Sequence, residues 1–383
     1  MLPKSVFRKN KASSHLGVAW KVRREIINLK DRLVFTLLRP FEIPLARYLK
    51  ARPLLVTPLG GGFNEGRPTR FAVMVIYQPG GLRASTIGTL KYLSESGYCC
   101  CVVANGGLPQ PSVEALNSVS GVLIQRNNFG HDFAAYQVGW HYLRKQGHHL
   151  AEILFLNDSV WFPMFVESAV LGQIAKNHAD VAAFANLGRI SQPPDALLLA
   201  SYFLHFRGTA QVLSLLDGFW DSYVASNFHH YTMKAGERRL SNLIKSSGLT
   251  WDALFTNQAL YSALIACDDE WLYRVLKYAS YQDAELAEQA EAIVPAYNQD
   301  FDKNRWRAQA LAHAWRVLDR RSGLASFPVG CLLLLRLDCI KRGSTVLQRR
   351  ARRAVWEAHT QGHLPSLNST VVNEMQSLAS QLP

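Results

Sequence analysis

The chain has no run of 18 or more apolar residues. The longest candidate, Phe327 to Leu335, is too short to cross a bilayer and is closed by Arg336, so no transmembrane helix is expected. Its start carries scattered charges and no apolar stretch ending in a small-residue cleavage site, which predicts no secretory signal and a cytosolic protein. Cysteine is scarce, with six in 383 residues, and Cys99, Cys100 and Cys101 stand consecutively inside an apolar run far from Cys267, Cys331 and Cys339. That spacing fits neither a disulfide framework nor a C-x-x-C metal site and predicts buried, reduced thiols. Gly60, Gly61 and Gly62 lack a following Gly-Lys-Ser/Thr, which removes a P-loop, and no repeat of fixed period is visible.

The basic excess is missing from the middle of the chain. Residues 1–52 hold 13 Lys or Arg against three acids and residues 301–383 hold 13 against five, which leaves 53–300 with 16 against 21 out of the total of +13. Basic flanks around a mildly acidic core argue against a nucleic-acid domain, whose positive stripe lies on the folded core. They suit docking to an anionic membrane surface. Residues 16–38 show helical periodicity, with Leu16, Trp20, Ile27 and Leu38 among bases, and Pro40 and Pro44 are expected to break the helix into a turn-rich link. The protein is therefore expected to sit peripherally on the cytoplasmic face of the membrane, against the alternative of solvated helices packed on the core.

What is present between residues 70 and 190 is alternation. Apolar, β-rich runs at 71–77, 98–104, 119–125, 152–156 and 181–185 are separated by helical patterns at 83–96, 133–144 and 165–177. Near-continuous apolar strands between amphipathic helices predict a doubly wound α/β sheet covered on both faces. A further strand is expected over 197–206, then helices over 209–226 and 234–246 and through 301–355. The division expected is a basic N-terminal extension over 1–69, a catalytic domain over 70–280 and a basic helical region over 281–383.

Ligands of an open parallel sheet bind beyond the carboxyl ends of its strands. Two polar clusters follow strands directly: Arg126-Asn127-Asn128-Phe129-Gly130-His131-Asp132 and Asn157-Asp158-Ser159. Asp132 reads either as a helix N-cap or as a ligand for hydroxyls. Arg126 reads as an exposed strand-end cation suited to a diphosphate. Asp158 offers one hard oxygen to Mg²⁺ or Mn²⁺, the candidate cofactor, with diphosphate and water completing the shell. The adjacent pairs His148-His149 and His229-His230 point to different sides and do not suit chelation, and Phe219-Trp220 reads as core.

These runs, with Phe133 to Tyr136, Val160 to Pro163 and Ser201-Tyr202-Phe203-Leu204-His205-Phe206, resemble the rhamnan synthesis protein F family of bacterial polysaccharide glycosyltransferases. The resemblance covers roughly residues 70–280. It implies a GT-A-like, Rossmann-type mixed sheet that binds a nucleotide-diphosphate sugar and passes the sugar, with rhamnose the family's association, to a glycan or lipid-linked acceptor. It implies a binding set of Arg126, Asn127, Asn128, Gly130, Asp132, Tyr136, Asn157, Ser159, Ser201 and Tyr202, with Asp158 at the place of an Asp-x-Asp metal motif. Because only Asp158 of that element is acidic, a non-catalytic carbohydrate-binding or assembly component stands as the alternative. An inverting transfer needs a carboxylate base, and Glu237 is the candidate, against an exposed helix-start glutamate paired with Arg238 or Arg239.

Overall fold

The computed structural model describes Leu33, residues 36–50, Arg52 and residues 54–60, 69–298 and 302–379. Eleven strands are described: β1 (Leu55–Pro58), β2 (Arg70–Ile76), β3 (Cys99–Asn105), β4 (Val122–Arg126), β5 (Glu152–Asn157), β6 (Val160–Trp161), β7 (Val181–Leu187), β8 (Leu198–Leu199), β9 (Phe203–Arg207), β10 (Trp251–Phe255) and β11 (Ile340–Lys341). The main sheet runs β1-β4-β3-β2-β5-β9-β7-β10, with β8 beside β7, while β6 and β11 form a separate ladder. The expected parallel set is present, since β2 pairs parallel with both β3 and β5, and β3 with β4. Antiparallel β9 then lies between β5 and β7, and β10 rejoins parallel to β7. The fold is α/β with a mixed sheet.

Strand periodicity builds the core. Ala72, Met74, Ile76, Cys100, Val102, Leu154 and Leu156 face one apolar cluster, and Phe71, Val73, Val75, Cys101, Val103, Ile153 and Phe155 face the other. Both faces are thus covered, and each large side chain buried this way contributes about 1.5–3 kcal/mol. All three consecutive cysteines are buried and free, and burial holds their thiols above the usual range. Phe219 and Trp220 are buried among Phe133, Phe155 and Tyr223 and belong to the core.

Two expectations are corrected. The single strand expected over 197–206 is two strands with a turn at 200–202. Ser201 leaves the ladder because its N–H and hydroxyl both go to Glu237 Oε1, at 3.2 and 2.7 Å. Pro40 and Pro44 do not end the N-terminal helix: residues 36–50 are helical. Arg39 donates to Ala225 O and Tyr231 Oη, and Glu42 accepts from Ser226 Oγ and Asn227 N at 2.6 and 3.0 Å, so tertiary anchors offset what the prolines cost. Most of the expected helix over 16–38 lies outside the described residues.

Residues 328–379 form a third apolar cluster with Trp161 and Met164, built from Val329, Ile340, Val355 and Met375. Through β11 this region reaches back to the strand that follows Asn157-Asp158-Ser159.

Candidate active site at the strand switch

The strand order reverses direction between β2 and β5, whose carboxyl ends lie side by side, and such a switch point is where ligands of an open α/β sheet bind. The chain leaves β5 at Asn157 and turns through Asp158 and Ser159 into β6. Asp158 N donates to Val75 O at 3.1 Å, and Asp158 Oδ2 accepts from Tyr77 N at 3.2 Å and from Gln78 Nε2 at 2.7 Å. The carboxylate is therefore fixed on the end of β2. Asn157 Oδ1 accepts from Ser159 N and Oγ at 3.1 and 2.6 Å, while its Nδ2 donates to Asp132 Oδ2 at 2.7 Å. Asp132 opens the helix His131–Lys145, so the two polar clusters meet on one sheet edge.

This edge is electrostatically crowded. Burial raises the Asp132 carboxyl to about 6, and the Asp158 charge pushes the same way. His131, the Asn157 hydrogen bond and, least, Lys341 at the end of β11 oppose that rise; the Lys341 ammonium lies 4.0 Å from the centre of the Tyr202 ring. Burial lowers the Lys341 pKa, and Glu237 is the strongest influence in the other direction. Tyr136 donates to Ser201 O at 3.0 Å, and its hydroxyl is pushed up by burial and then by Asp132, Glu237 and Asp158. One tyrosine thus senses all three carboxylates. Glu237 is half-buried in a π-helical turn, Thr232–Arg238, where Gly236 packs so closely that a Cβ there would meet the Phe133 ring at 2.8 Å. π-Helical turns within helices are frequent at functional sites.

The loop Arg126–Asp132 is placed differently from the expectation. Arg126 is not an exposed cation: it stands in register with Asn105, and its guanidinium donates to Asn105 Oδ1 and Phe129 O. Burial lowers its pKa to about 10. It braces the loop from beneath. Asn127 and Asn128 are exposed at its tip, and Gly130 takes a φ of +82° with its N–H on Asn227 Oδ1 at 2.8 Å, a conformation that favours glycine. Asp158, Asn157, Ser159, Asp132, Tyr136, Ser201, Tyr202 and Glu237 are brought together; Asn127, Asn128 and the Arg126 guanidinium are not joined to them by a hydrogen bond among the described residues.

Lys341 and Arg342 were missed. Arg342 N donates to Ser159 O at 2.8 Å and Arg342 Nη1 to Asp158 O at 3.2 Å, so a C-terminal segment clamps the back of the turn. The signal available was two bases after the apolar pair Cys339-Ile340, and nothing local to it names Val160-Trp161 as its partner.

Among the described residues no group of three His, Cys, Asp or Glu side chains gathers as a metal cage. Asp158 alone fits the sparse mode, in which one carboxylate oxygen is completed by substrate phosphates and water.

Residues 100–273 match the rhamnan synthesis protein F family. Within that span lie the Arg126–Asp132 loop, the Asn157–Ser159 turn, Ser201 and Glu237; Lys341 and Arg342 lie outside it. An uncharacterized protein of Sinorhizobium fredii (strain NBRC 101917 / NGR234), y4gN, is 26% identical over 223 residues, 57% of this chain and 58% of the relative. The chain thus spans under two thirds of that relative's length. Solved structures similar at low level are the glycosyltransferase GlyE of Streptococcus pneumoniae TIGR4 and the mannosyltransferase PcManGT of Pyrobaculum calidifontis in complex with GDP-Man and Mn²⁺. GlyE is 12% identical, covering 52% of this chain and 49% of that one, with a TM-score of 0.28. PcManGT is 12% identical, covering 93% and 92%, with a TM-score of 0.29. TM-scores of this size carry no argument, and the α/β assignment rests on the sheet itself.

Proposed function

We propose that the chain is a glycosyltransferase of GT-A type that moves a sugar from a nucleotide-diphosphate donor to a growing bacterial polysaccharide or lipid-linked glycan. The observation that carries this reading is the meeting of Asp158, Asn157 and Asp132 with Lys341 and Glu237 at the switch point of the sheet, within a chain whose central part matches the rhamnan synthesis protein F family.

Transfer leaves a nucleoside diphosphate with added negative charge, and a fixed cation in a dry site stabilises that charge more than water does. Lys341 is that cation: it is half-buried, and its ammonium makes no hydrogen bond or ion pair among the described residues. A divalent ion, when bound, would be held by Asp158 and would neutralise diphosphate charge. The acceptor hydroxyl needs a base, and Glu237 is held for it by the Ser201 N–H and hydroxyl. Asn157 and Ser159 orient the turn, Asp132 is assigned to the sugar hydroxyls, and Tyr136, buried in the core, positions Ser201 through its carbonyl.

Asp158→Asn keeps an acceptor for Tyr77 and Gln78 and removes only the charge. Transfer measured across a panel of nucleotide sugars is expected to fall by about 100-fold or more. The melting temperature should stay within about 1 °C, since in a chain of this length a shift of about 1–2 °C already corresponds to about 1 kcal/mol. In the parent, the right donor at about 100 times its dissociation constant stabilises by about 2.7 kcal/mol. Unchanged turnover in Asp158→Asn, or no stabilisation by any nucleotide sugar, overturns the reading.

The same reading places the protein peripherally on the cytoplasmic face of the membrane. Leu37, Phe41, Leu45 and Tyr48 lie exposed along one stripe of the helix 36–50, next to Arg47, Lys50 and Arg52. No helix among the described residues is long and apolar enough to span a membrane. Flotation with anionic vesicles should occur and weaken with salt; equal binding to neutral vesicles, or none to either, rejects the placement.

A further inference from the structure

A groove of about 990 Å³ opens behind the Asp158 turn, between the helices Val346–Thr360 and Ser369–Ala379 and the start of the helix Ala84–Glu95. Six arginines line it and one acid, Glu374. Packing like charges this densely is unfavourable unless counter-charge is supplied. The internal supply is spent: Glu374 accepts from Ser85 N and Oγ, both at 2.8 Å, and from Trp161 Nε1 at 2.7 Å, and lies 3.8 Å from Arg342.

The arginines divide into committed and uncommitted. Arg353 pairs with Glu357 at 2.8 Å, Arg350 donates to Tyr281 O, and Arg352 donates to the carbonyls of Arg342 and Gly343. The guanidinium groups of Arg83 and Arg349 make no hydrogen bond or ion pair among the described residues, although Arg83 N donates to Gln78 Oε1 at 2.8 Å. Arg342 is the deep member and is committed in part: its side chain is 8% exposed, Nη1 and Nη2 donate to Asp158 O and Ser85 Oγ, and its buried Nε has no partner. Burial lowers the Arg342 pKa to about 10, with Glu374 opposing the drop and Arg83 adding to it, and Arg349 acts likewise on Arg352 after burial. The guanidinium groups therefore crowd one another across the groove. Two helix starts border it as well, which adds partial positive charge.

We propose that this groove binds the phosphate or diphosphate group of the acceptor, with Arg83, Arg342 and Arg349 as its donors. The ligand class follows from the donors: planar guanidinium forks match phosphate oxygens in pairs and keep their charge at any working pH. The volume admits more than one phosphate, and Arg342 ties the groove to Asp158 O, so an anionic group held here lies beside the transfer site. This inference rests on the proposed glycosyl transfer for the word acceptor, and on the groove alone for the anion.

The test is titration calorimetry of inorganic pyrophosphate into the full chain and into Arg83→Gln/Arg349→Gln, both positions being exposed. Expected is a drop in affinity of about tenfold or more, as for loss of two charge-assisted contacts. The melting temperature and the binding of nucleoside diphosphates should be unchanged, and Asp158→Asn should still bind pyrophosphate. Equal pyrophosphate affinity in the double variant overturns the site. So does loss of pyrophosphate binding in Asp158→Asn with retention in the arginine variant, which would make the donor site its only locus. A third arm uses phosphatidylglycerol vesicles: binding that depends on Arg83 and Arg349 while pyrophosphate binding does not would replace the proposal with a membrane-headgroup patch. Arginine-dependent pyrophosphate binding in a chain that no nucleotide sugar stabilises would uphold the anion site and remove the transferase reading separately.

Discussion

The two ends of β5 adjoin acids in opposite states, Glu152 on the strand itself and Asp132 on the helix tied to Asn157. At the amino end, Glu152 Oε2 accepts from His205 Nε2 at 3.1 Å, Tyr98 Oη at 2.8 Å and Arg70 Nε at 3.0 Å. The hydrogen bond from His205, more than any other influence, holds the carboxyl at about 2, below the usual range. At the carboxyl end, burial and Asp158 push Asp132 up to about 6, and Asn157 is its one side-chain donor among the described residues. One strand therefore ends in a satisfied structural network on one side and in crowded, under-compensated charge on the other. Register explains the first: Glu152 stands opposite Arg70 on β2 and Arg207 on β9. The second is assembled from three distant parts of the chain and gains little stability by it. Proteins retain such arrangements where charge must be ready for a ligand.

The contrast is most open to challenge at Asp132. A carboxyl whose folded pKa is raised costs stability once it ionises, so the cost grows as pH rises from about 4 to about 6 and is complete above that. Asp132→Asn removes it. The variant should be more stable than the parent at pH 7.5 by up to about 3 kcal/mol, a shift of about two units at 1.36 kcal/mol each, with the difference gone near pH 4. Transfer should fall at the same time. Urea unfolding at the two pH values checks this, and equal stability at pH 7.5 would show that Lys341 already balances the charge.

Glu152 should answer with the opposite sign and a smaller size. Its depressed pKa contributes stability that is fully present above about 4.5 and is lost as pH falls towards 2. Glu152→Gln is expected to cost roughly 1–2 kcal/mol at pH 7, after allowance for solvent screening, and much less at pH 3. Donor affinity should not move. A change in nucleotide-sugar binding on this substitution would mean that the two ends of the strand are coupled.

Much of the sheet was legible because its strands are local and nearly uniform. The runs at β2, β3 and β5 are buried throughout or almost so, and a short apolar run between turns has few other ways to hide. Strands of two residues, β6, β8 and β11, carry no period to read, and β10 is only partly buried. Arg126 was assigned to the wrong environment for a related reason. Its exposure depends on Asn105 standing beside it, which is a matter of strand pairing rather than of the loop's own composition.

The sequence by itself determined that this chain folds as strands alternating with helices, and that Arg126–Asp132 and Asn157–Ser159 follow strands at one edge. Those are consequences of burial period and of turn chemistry within a dozen residues. Only the tertiary structure decided that Asp132 and Asp158 share a site through Asn157, and that Glu237 turns to Ser201. It also decided that Lys341, Arg342 and the arginine groove come back to that edge from the far end of the chain. Such contacts depend on the crossover order of the sheet and on one two-residue ladder, β6 with β11, and no local pattern encodes a partner that far away.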